Sequence, residues 1–261
     1  MSELLFERGG SIATVTFNRP HARNALTWGM YQALEDACDS VDQDDQIKVL
    51  ILRGAGDKAF VSGTDISQFT AFKTAQDAIG YEQKLERLIS RLETVKKPTI
   101  AAIQGFAVGA GAALALVCDL RYCTPDSQIG FPIARTLGNC LTVAILARIA
   151  DVIGPARTKE LMFRARLVNA DQAMKLGLVN EIFEANQLSG QVRQIAQEIS
   201  HHAPITLQVT KEGVRRLQQH RRSIGEDILG EDLIVRTYMS EDFREGVSAF
   251  LAKRKPNFRG R

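Results

Sequence analysis

Two glycine-rich turns in the chain could present backbone N–H groups to a substrate. The first, residues 62–64 (SGT), follows the apolar residues 59–61, and glycine permits a tight turn that would point the following N–H into a cleft. The second, residues 109–111 (GAG), opens an apolar segment. Free N–H groups at a helix start suit an anion or a carbonyl oxygen that gains charge. The first turn alone is also typical of an ordinary connection.

Four polar side chains follow in a third stretch, residues 130–142. Its Gly, Pro and Asn content predicts an irregular loop. Arg135 could pair with a substrate carboxylate or face solvent. Asn139 could contact substrate or cap the following helix, and the same loop offers Thr142. Cys140 could act as a base or nucleophile only if its thiol pKa were lowered, and is otherwise a buried small apolar residue.

Two further acids, Glu82 and Glu86, lie beside a stripe of apolar residues with helical spacing at positions 81–95. Residues that flank such a stripe usually form the solvated side of the helix. A solvated face is therefore the preferred interpretation of both acids, and an approach to the site is the alternative.

The second turn also approximates the dinucleotide fingerprint G-x-G-x-x-G/A. That fingerprint should open the first strand–helix–strand unit of a domain. Here the turn lies more than 100 residues into the chain, which argues against a nicotinamide cofactor. The four cysteines form no CxxC pair and have no histidine at metal-ligand spacing, so we expect reduced thiols and no metal site.

Composition excludes several classes of protein. A chain of 261 residues with 45% hydrophobic and 24% charged residues is neither a disordered tail, a collagen-like fibre nor a small disulfide-stapled module. The net charge of +3 is too small to favour a nucleic-acid partner. With no basic leader and no run of 18 apolar residues, the sequence predicts a cytoplasmic protein without a membrane partner.

The predicted elements that position these turns alternate between strand and helix. Strands are expected at 4–7, 13–17, 49–52 and 98–103, with helices between them, which indicates an α/β core. The last expected strand is 179–183. Helices are expected over 141–153, 158–163, 207–216, 228–239 and 242–251. We therefore divide the chain into a mixed core, 1–195, and a helical C-terminal region, 196–261.

Segments from one end of the chain to the other resemble the crotonase superfamily, the enoyl-CoA hydratase/isomerase family. Residues 97–123 (KPTIAAIQGFAVGAGAALALVCDLRYC) are similar to its central motif, and 59–69 (AFVSGTDISQF) to its AFxAGxDIxxF loop. Residues 19–26 (RPHARNAL) resemble its RPxxxNAL segment, and 243–261 (FREGVSAFLAKRKPNFRGR) its terminus.

The resemblance implies a ββα spiral core with a helical C-terminal trimerisation region, assembled as a homotrimer or a dimer of trimers. It implies an acyl-CoA thioester substrate and no permanently bound cofactor, coenzyme A being part of the substrate. The thioester enolate would be stabilised by the N–H groups of Thr64 and Ala110. The residues expected on the coenzyme A side are Ala22, Arg23, Ser62, Asp65 and Ile66.

The sequence departs from the family pattern where hydratases carry two glutamates, since Ala113 and Ile133 occupy those positions. Neither side chain can deprotonate a water or return a proton. We therefore expect weak or absent hydration of simple enoyl thioesters. Another enolate reaction that uses a side chain of residues 133–142 is one possibility, and a non-catalytic acyl-CoA-binding or scaffold protein is the other.

The basic end of the chain has two interpretations. By resemblance it could lie near the phosphates of coenzyme A, with Arg23 as a further phosphate contact. It could instead be a solvated tail. The cations concerned are Lys253, Arg254, Lys255, Arg259 and Arg261.

Overall fold

The computed structural model describes residues 2–222 and 230–261. The helix expected at 228–239 begins outside these residues, and the described part of it is the helix Glu231–Tyr238.

The first sheet has six strands in the order β1-β2-β3-β5-β7-β10. An antiparallel hairpin, β1 with β2, starts it, and the remaining neighbours pair in parallel. Parallel strands need buried faces, and residues 49–52 and 99–103 are buried at every position. The strands are β1 Leu4–Gly9, β2 Ile12–Phe17, β3 Val49–Gly54, β5 Thr99–Ile103, β7 Leu120–Cys123 and β10 Glu181–Ile182.

The second sheet is smaller and has the order β4-β6-β8-β9. Its strands are β4 Ala59–Val61, β6 Phe106–Val108, β8 Gln128–Gly130 and β9 Leu167–Asn169. Each follows a strand of the first sheet or a helix after a short turn, so the chain steps repeatedly from one sheet to the other.

Helices cover the sheets and make up most of the C-terminal part. They are α1 Trp28–Gln43, α2 Ala75–Glu93, α3 Ala110–Val117, α4 Ile133–Thr136, α5 Val143–Arg164, α6 Ala170–Leu176, α7 Leu188–Ser200, α8 Pro204–Arg222, α9 Glu231–Tyr238 and α10 Glu241–Leu251. A short 3-10 helix, Ile66–Ala71, precedes α2.

The main core lies between the two sheets and α1, α2, α3, α5, α9 and α10. A second apolar cluster joins the outer face of the first sheet to Leu188, Val192 and Ala196 of α7. Helix α7 contains the expected boundary at residue 195, and the division at that point stays a prediction.

The α/β class predicted from the sequence is confirmed, and so are the five expected strands and the helices within the described residues. Residues 141–153 and 158–163 are one helix, α5, with a kink at Gly154 (φ 76°) before Pro155. The sequence missed strands β4, β6, β7, β8 and β9, because three or four residues are too few to show an alternating pattern. No helix among the described residues is both long and apolar enough to cross a membrane.

Candidate active site

The two glycine turns lie side by side in the structure. Strands β4 and β6 pair in parallel, so the turns that follow them meet at one edge of the second sheet. A Cβ atom built on Gly109 would lie 3.8 Å from the Cα of Gly63. Both glycines have positive φ angles, 56° and 94°, which other residues rarely adopt.

The residue after each glycine keeps a free backbone N–H. Leu26 forms an isolated parallel bridge with Thr64 through its bonds to Gly63 O and Asp65 N, which leaves the Thr64 N–H on the opposite side. Ala110 is the first residue of α3, where an N–H has no acceptor within the helix. Among the described residues, neither N–H has a backbone acceptor. Both can therefore donate to a carbonyl oxygen.

Gly111 allows α3 to pack directly on the neighbouring strand. A Cβ atom at this position would lie 2.0 Å from the carbonyl oxygen of Val61, which is far inside van der Waals contact. This close approach holds the start of α3 against the end of β4 and so fixes the distance between the two turns.

The segment at residues 19–26 supports the first turn from the other side. Its buried Asn24 accepts a hydrogen bond from Arg19 N (2.9 Å) and donates to Ala59 O (2.7 Å). Ser62 N donates to Arg23 O at 3.1 Å. The motif asparagine thus ties this segment to β4, a role that the sequence analysis did not predict.

The residues expected on the coenzyme A side lie on these two hydrogen-bonded segments. Arg23 is exposed, with its guanidinium 5.2 Å from the centre of the Phe106 ring. Partial burial would raise the pKa of Asp65, but hydrogen bonds from Ser67 and Arg19 hold it below its usual range. Asp65 is therefore a carboxylate at neutral pH. The contact of these residues with coenzyme A stays a prediction.

The Thr64 side chain belongs to a buried hydroxyl cluster. Its Oγ1 lies 2.8 Å from the Tyr31 hydroxyl and 3.1 Å from the Tyr81 hydroxyl. Burial raises the pKa of the Tyr31 phenol and that of the Tyr81 phenol well above the ordinary tyrosine value. Both groups therefore stay protonated at neutral pH. This cluster could not be predicted from the sequence, since the three residues lie on separate segments and only the fold joins them.

Glu82 is buried, which corrects the solvated-face interpretation. Only 3% of it is exposed, and its Oε1 accepts a hydrogen bond from the Tyr238 hydroxyl. Desolvation, together with the charge of Glu86, raises the pKa of Glu82 to about 7, although the hydrogen bond from Tyr238 lowers it. Near neutral pH this carboxyl can therefore both hold and release a proton.

Tyr238, which donates to this carboxyl, belongs to a cluster of packed aromatic rings. The ring of Tyr238 lies 4.6 Å from that of Phe243, and Tyr81 lies 4.9 Å from Phe69, between ring centroids. These rings come from α9, α10, α2 and the 3-10 helix Ile66–Ala71, so four segments enclose the site.

Glu86 does not enter the site. It pairs with Arg148 at 2.8 Å and also accepts a hydrogen bond from Ser90.

The four expected side chains of residues 133–142 differ in their surroundings. Arg135 is exposed on α4 and does not join the buried cluster. Asn139 donates to the Tyr238 hydroxyl at 3.3 Å, and the cap of α5 is Thr142, which accepts from Ile145 N. The interpretation of Asn139 as the helix cap is therefore wrong. Burial raises the pKa of the Cys140 thiol to about 11, which makes it a poor base or nucleophile at neutral pH.

The positions that the resemblance assigns to the hydratase glutamates are apolar and buried. Ala113 lies in α3 and is 2% exposed, and Ile133 begins α4 and is 7% exposed. The irregular loop expected around Ile133 in fact contains this short helix. Within residues 2–222 and 230–261, no group of three His, Cys, Asp or Glu side chains could hold a metal ion.

The basic end of the chain is partly neutralised by its own helix. Arg254 pairs with Glu245 at 2.6 Å, and Arg261 pairs with Glu241 at 2.9 Å. The Asp242 carboxylate accepts hydrogen bonds from the backbone N–H groups of Arg259 and Gly260. The terminal segment is therefore folded back on α10.

Comparison with known proteins agrees with this arrangement. The Enoyl-CoA hydratase/isomerase family profile matches residues 7–261. This chain belongs to the enoyl-CoA hydratase/isomerase family. It is 30% identical to the short-chain-enoyl-CoA hydratase of Clostridium acetobutylicum, over 98% of this chain and 97% of the relative. It is 32% identical to the crotonyl-CoA hydratase of Syntrophomonas wolfei, with the same coverage.

Solved structures of the family share the fold over the whole chain. A methylmalonyl-CoA decarboxylase in complex with 2S-carboxypropyl CoA has a TM-score of 0.91 at 27% identity, covering 100% of this chain and 99% of that one. An enoyl-CoA hydratase/carnithine racemase from Magnetospirillum magneticum has a TM-score of 0.81 at 35% identity, covering 100% and 97%. The crotonase-like fold expected from the sequence is thereby confirmed.

Proposed function

We propose that this protein is an acyl-CoA-processing enzyme that stabilises a thioester enolate between the N–H groups of Thr64 and Ala110. The observation that supports this most directly is the juxtaposition of the two glycine turns, each followed by an N–H without a backbone acceptor. A donor of this kind typically contributes about 3–4 kcal/mol to transition-state stabilisation. Both donors are main-chain groups, so the side chains at 64 and 110 do not prevent this role.

The proposed reaction is not simple hydration. Water addition to a 2-enoyl thioester requires groups that orient and deprotonate the water and protonate the α-carbon. Ala113 and Ile133, at the positions where hydratases of the family carry glutamates, can do neither. We therefore expect weak or absent hydration of crotonyl-CoA, even though the relatives compared above are named hydratases.

The other proposed features follow from family membership. The substrate is an acyl-CoA thioester that brings coenzyme A with it, held beside Ala22, Arg23, Ser62, Asp65 and Ile66. No permanent cofactor takes part. The enzyme acts in the cytoplasm as a homotrimer or a dimer of trimers, and exposed apolar side chains on α8, among them Ile205 and Val209, support self-association.

Mass spectrometry of a panel of thioesters incubated in heavy-oxygen water tests this proposal. The panel contains enoyl-, dienoyl-, malonyl- and aryl-CoA compounds. We expect rearrangement or loss of a group in at least one of them and little heavy oxygen in crotonyl-CoA. Hydration of crotonyl-CoA with a kcat near the enzyme median of about 10 s⁻¹ would contradict the proposal.

The second candidate, a non-catalytic acyl-CoA-binding or scaffold protein, is favoured by the same two apolar residues, Ala113 and Ile133. It predicts that thioesters bind in stoichiometric amounts and return unchanged. The same panel separates the two functions, because only an enzyme gives turnover.

A further inference from the structure

Glu82 has one carboxyl oxygen that the protein itself leaves without a partner. Oε1 accepts a hydrogen bond from Tyr238. Within the described residues, Glu82 Oε2 and Asn139 Oδ1 are buried and have no hydrogen-bond partner. A buried acceptor without a partner is unfavourable, so its presence calls for an explanation.

A chain of hydrogen bonds fixes the orientation of this carboxyl. Asn139 Nδ2 donates to the Tyr238 hydroxyl at 3.3 Å. The single proton of that hydroxyl is then directed to Glu82 Oε1. One carboxyl oxygen is held in place and the other stays available.

The carboxyl is electrostatically coupled to the hydroxyl groups that contact Thr64. Its neighbour in sequence, Tyr81, contacts Thr64 Oγ1 at 3.1 Å, and the charge of Glu82 raises the pKa of Tyr31, Tyr81 and Cys140. The titratable groups that face Glu82 are Tyr31 from α1, Tyr81 and Glu86 from α2, Cys140 from the segment before α5, and Tyr238 from α9.

We propose that Glu82 is the catalytic residue that moves the substrate proton, an inference that rests on the enolate chemistry proposed above. Glu82 Oε2 takes a proton from the α-carbon of a 3-enoyl thioester. The electron pair of that C–H bond passes into the dienolate, whose oxygen accepts hydrogen bonds from Thr64 N–H and Ala110 N–H. The resulting carboxylic acid returns the proton to the γ-carbon, and the double bond moves to the 2-position.

One carboxyl is sufficient for this reaction because the same group takes a proton from the α-carbon and gives a proton to the γ-carbon, and it can exchange that proton with solvent between the two steps. Hydration needs a second group to activate water, and Ala113 and Ile133 supply none. The cluster therefore points to enoyl thioesters that undergo double-bond migration as the substrate class.

The test follows deuterium entering 3-butenoyl-CoA in deuterated water, together with the formation of crotonyl-CoA. The variant is Glu82→Gln, and the control is Glu86→Gln, which makes the same charge change one turn further along α2. Because the charge of Glu86 raises the pKa of Glu82, the rates are compared at about pH 9, where Glu82 is ionised in the wild type and in the control. Loss of a proton-transfer group typically lowers a rate about 100- to 10,000-fold. We expect a loss of that size in Glu82→Gln, with unchanged affinity for the thioester by calorimetry, and a near wild-type rate in Glu86→Gln.

The pH profile distinguishes a catalytic carboxyl from a structural one. The wild-type exchange rate should rise as the carboxylate forms, with a midpoint near pH 7, and Glu82→Gln should lack this step. Tyr238→Phe keeps the carboxyl but removes the hydrogen bond that lowers its pKa, so its midpoint should move to higher pH. This second variant keeps the test decisive if Glu82→Gln does not fold.

The experiments distinguish a failure of the Glu82 proposal from a failure of the proposed function. A folded Glu82→Gln that exchanges deuterium at the wild-type rate would overturn the role of Glu82 and leave the enolate proposal standing. A wild-type protein that binds thioesters without exchange would overturn the role of Glu82 and favour the non-catalytic alternative. A wild-type protein that neither binds nor exchanges would overturn both proposals.

Discussion

The Tyr238 hydroxyl donates a hydrogen bond to Glu82 Oε1 across 156 positions of sequence. This contact joins α9, near the end of the chain, to α2 in the first half of it. Helix α9 therefore does more than cover the core, because it holds a buried carboxyl in a fixed orientation. The C-terminal helices are part of the candidate site.

The raised pKa of Glu82 should make the stability of the protein depend on pH. Between its ordinary value of 4.5 and about 7, the native carboxyl holds a proton that the unfolded chain releases. The free energy of unfolding should therefore fall as the pH rises through this window, by at most about 3 kcal/mol. Urea unfolding at pH 5 and pH 8 measures this, and Glu82→Gln should show a smaller difference than the wild type. Equal differences in the two proteins would contradict the prediction.

Gly111→Ala should disrupt the contact between the two turns. The new Cβ would lie 2.0 Å from Val61 O, so α3 must move away from β4. We expect a loss of at least about 3 kcal/mol in the free energy of unfolding, with loss of acyl-CoA binding. The control is Gly190→Ala in α7, where nothing lies within 4 Å of the new atom and alanine is the better helix former. Equal melting temperatures for Gly111→Ala and Gly190→Ala in thermal unfolding would contradict the prediction that only Gly111→Ala is destabilised.

The backbone part of the site could be predicted from the sequence, and the side-chain part could not. The turns at Gly63 and Gly109 are visible because their glycines and the apolar residues around them are local features. The sequence did not predict β4 and β6 or their parallel pairing, which brings the two turns together.

The burial of Glu82 could not be predicted from the local sequence pattern of α2. Its position beside an apolar stripe is the usual place for a solvated acid, and nothing in α2 itself signals burial. Its partner Tyr238 is far away in sequence and reaches the acid only through the C-terminal fold. Of the two alternatives for Asn139, the helix cap is wrong for the same reason, because its partner is also Tyr238.

Arg148 should be the ion-pairing residue with a large effect on stability. It is 7% exposed on α5, and it contacts Glu86 and Glu93 of α2, each at 2.8 Å. Arg148→Leu leaves these two carboxylates facing an apolar side chain, so we expect a loss of about 3 kcal/mol or more. Arg157→Ala removes an exposed pair with Glu160 and should lower the free energy of unfolding far less. Denaturant unfolding measures the free energy of unfolding of both variants. Similar losses in Arg148→Leu and Arg157→Ala would contradict the predicted difference between a buried and an exposed ion pair.

The apolar side chains of α8 predict self-association. Ile205, Val209 and Leu217 are 76%, 65% and 63% exposed and lie on one side of the helix at 100° per residue. Large exposed apolar patches usually mark interfaces. If copies of the chain pack through this side, Val209→Asp should place a charge in the interface and raise the dissociation constant by at least about tenfold, which corresponds to about 1.4 kcal/mol. Gln194→Asp, at an exposed position on α7 and not on α8, is the control. Sedimentation velocity should show a trimer or hexamer for the wild type and the control and smaller species for Val209→Asp, whereas a monomeric wild type would exclude the assembly.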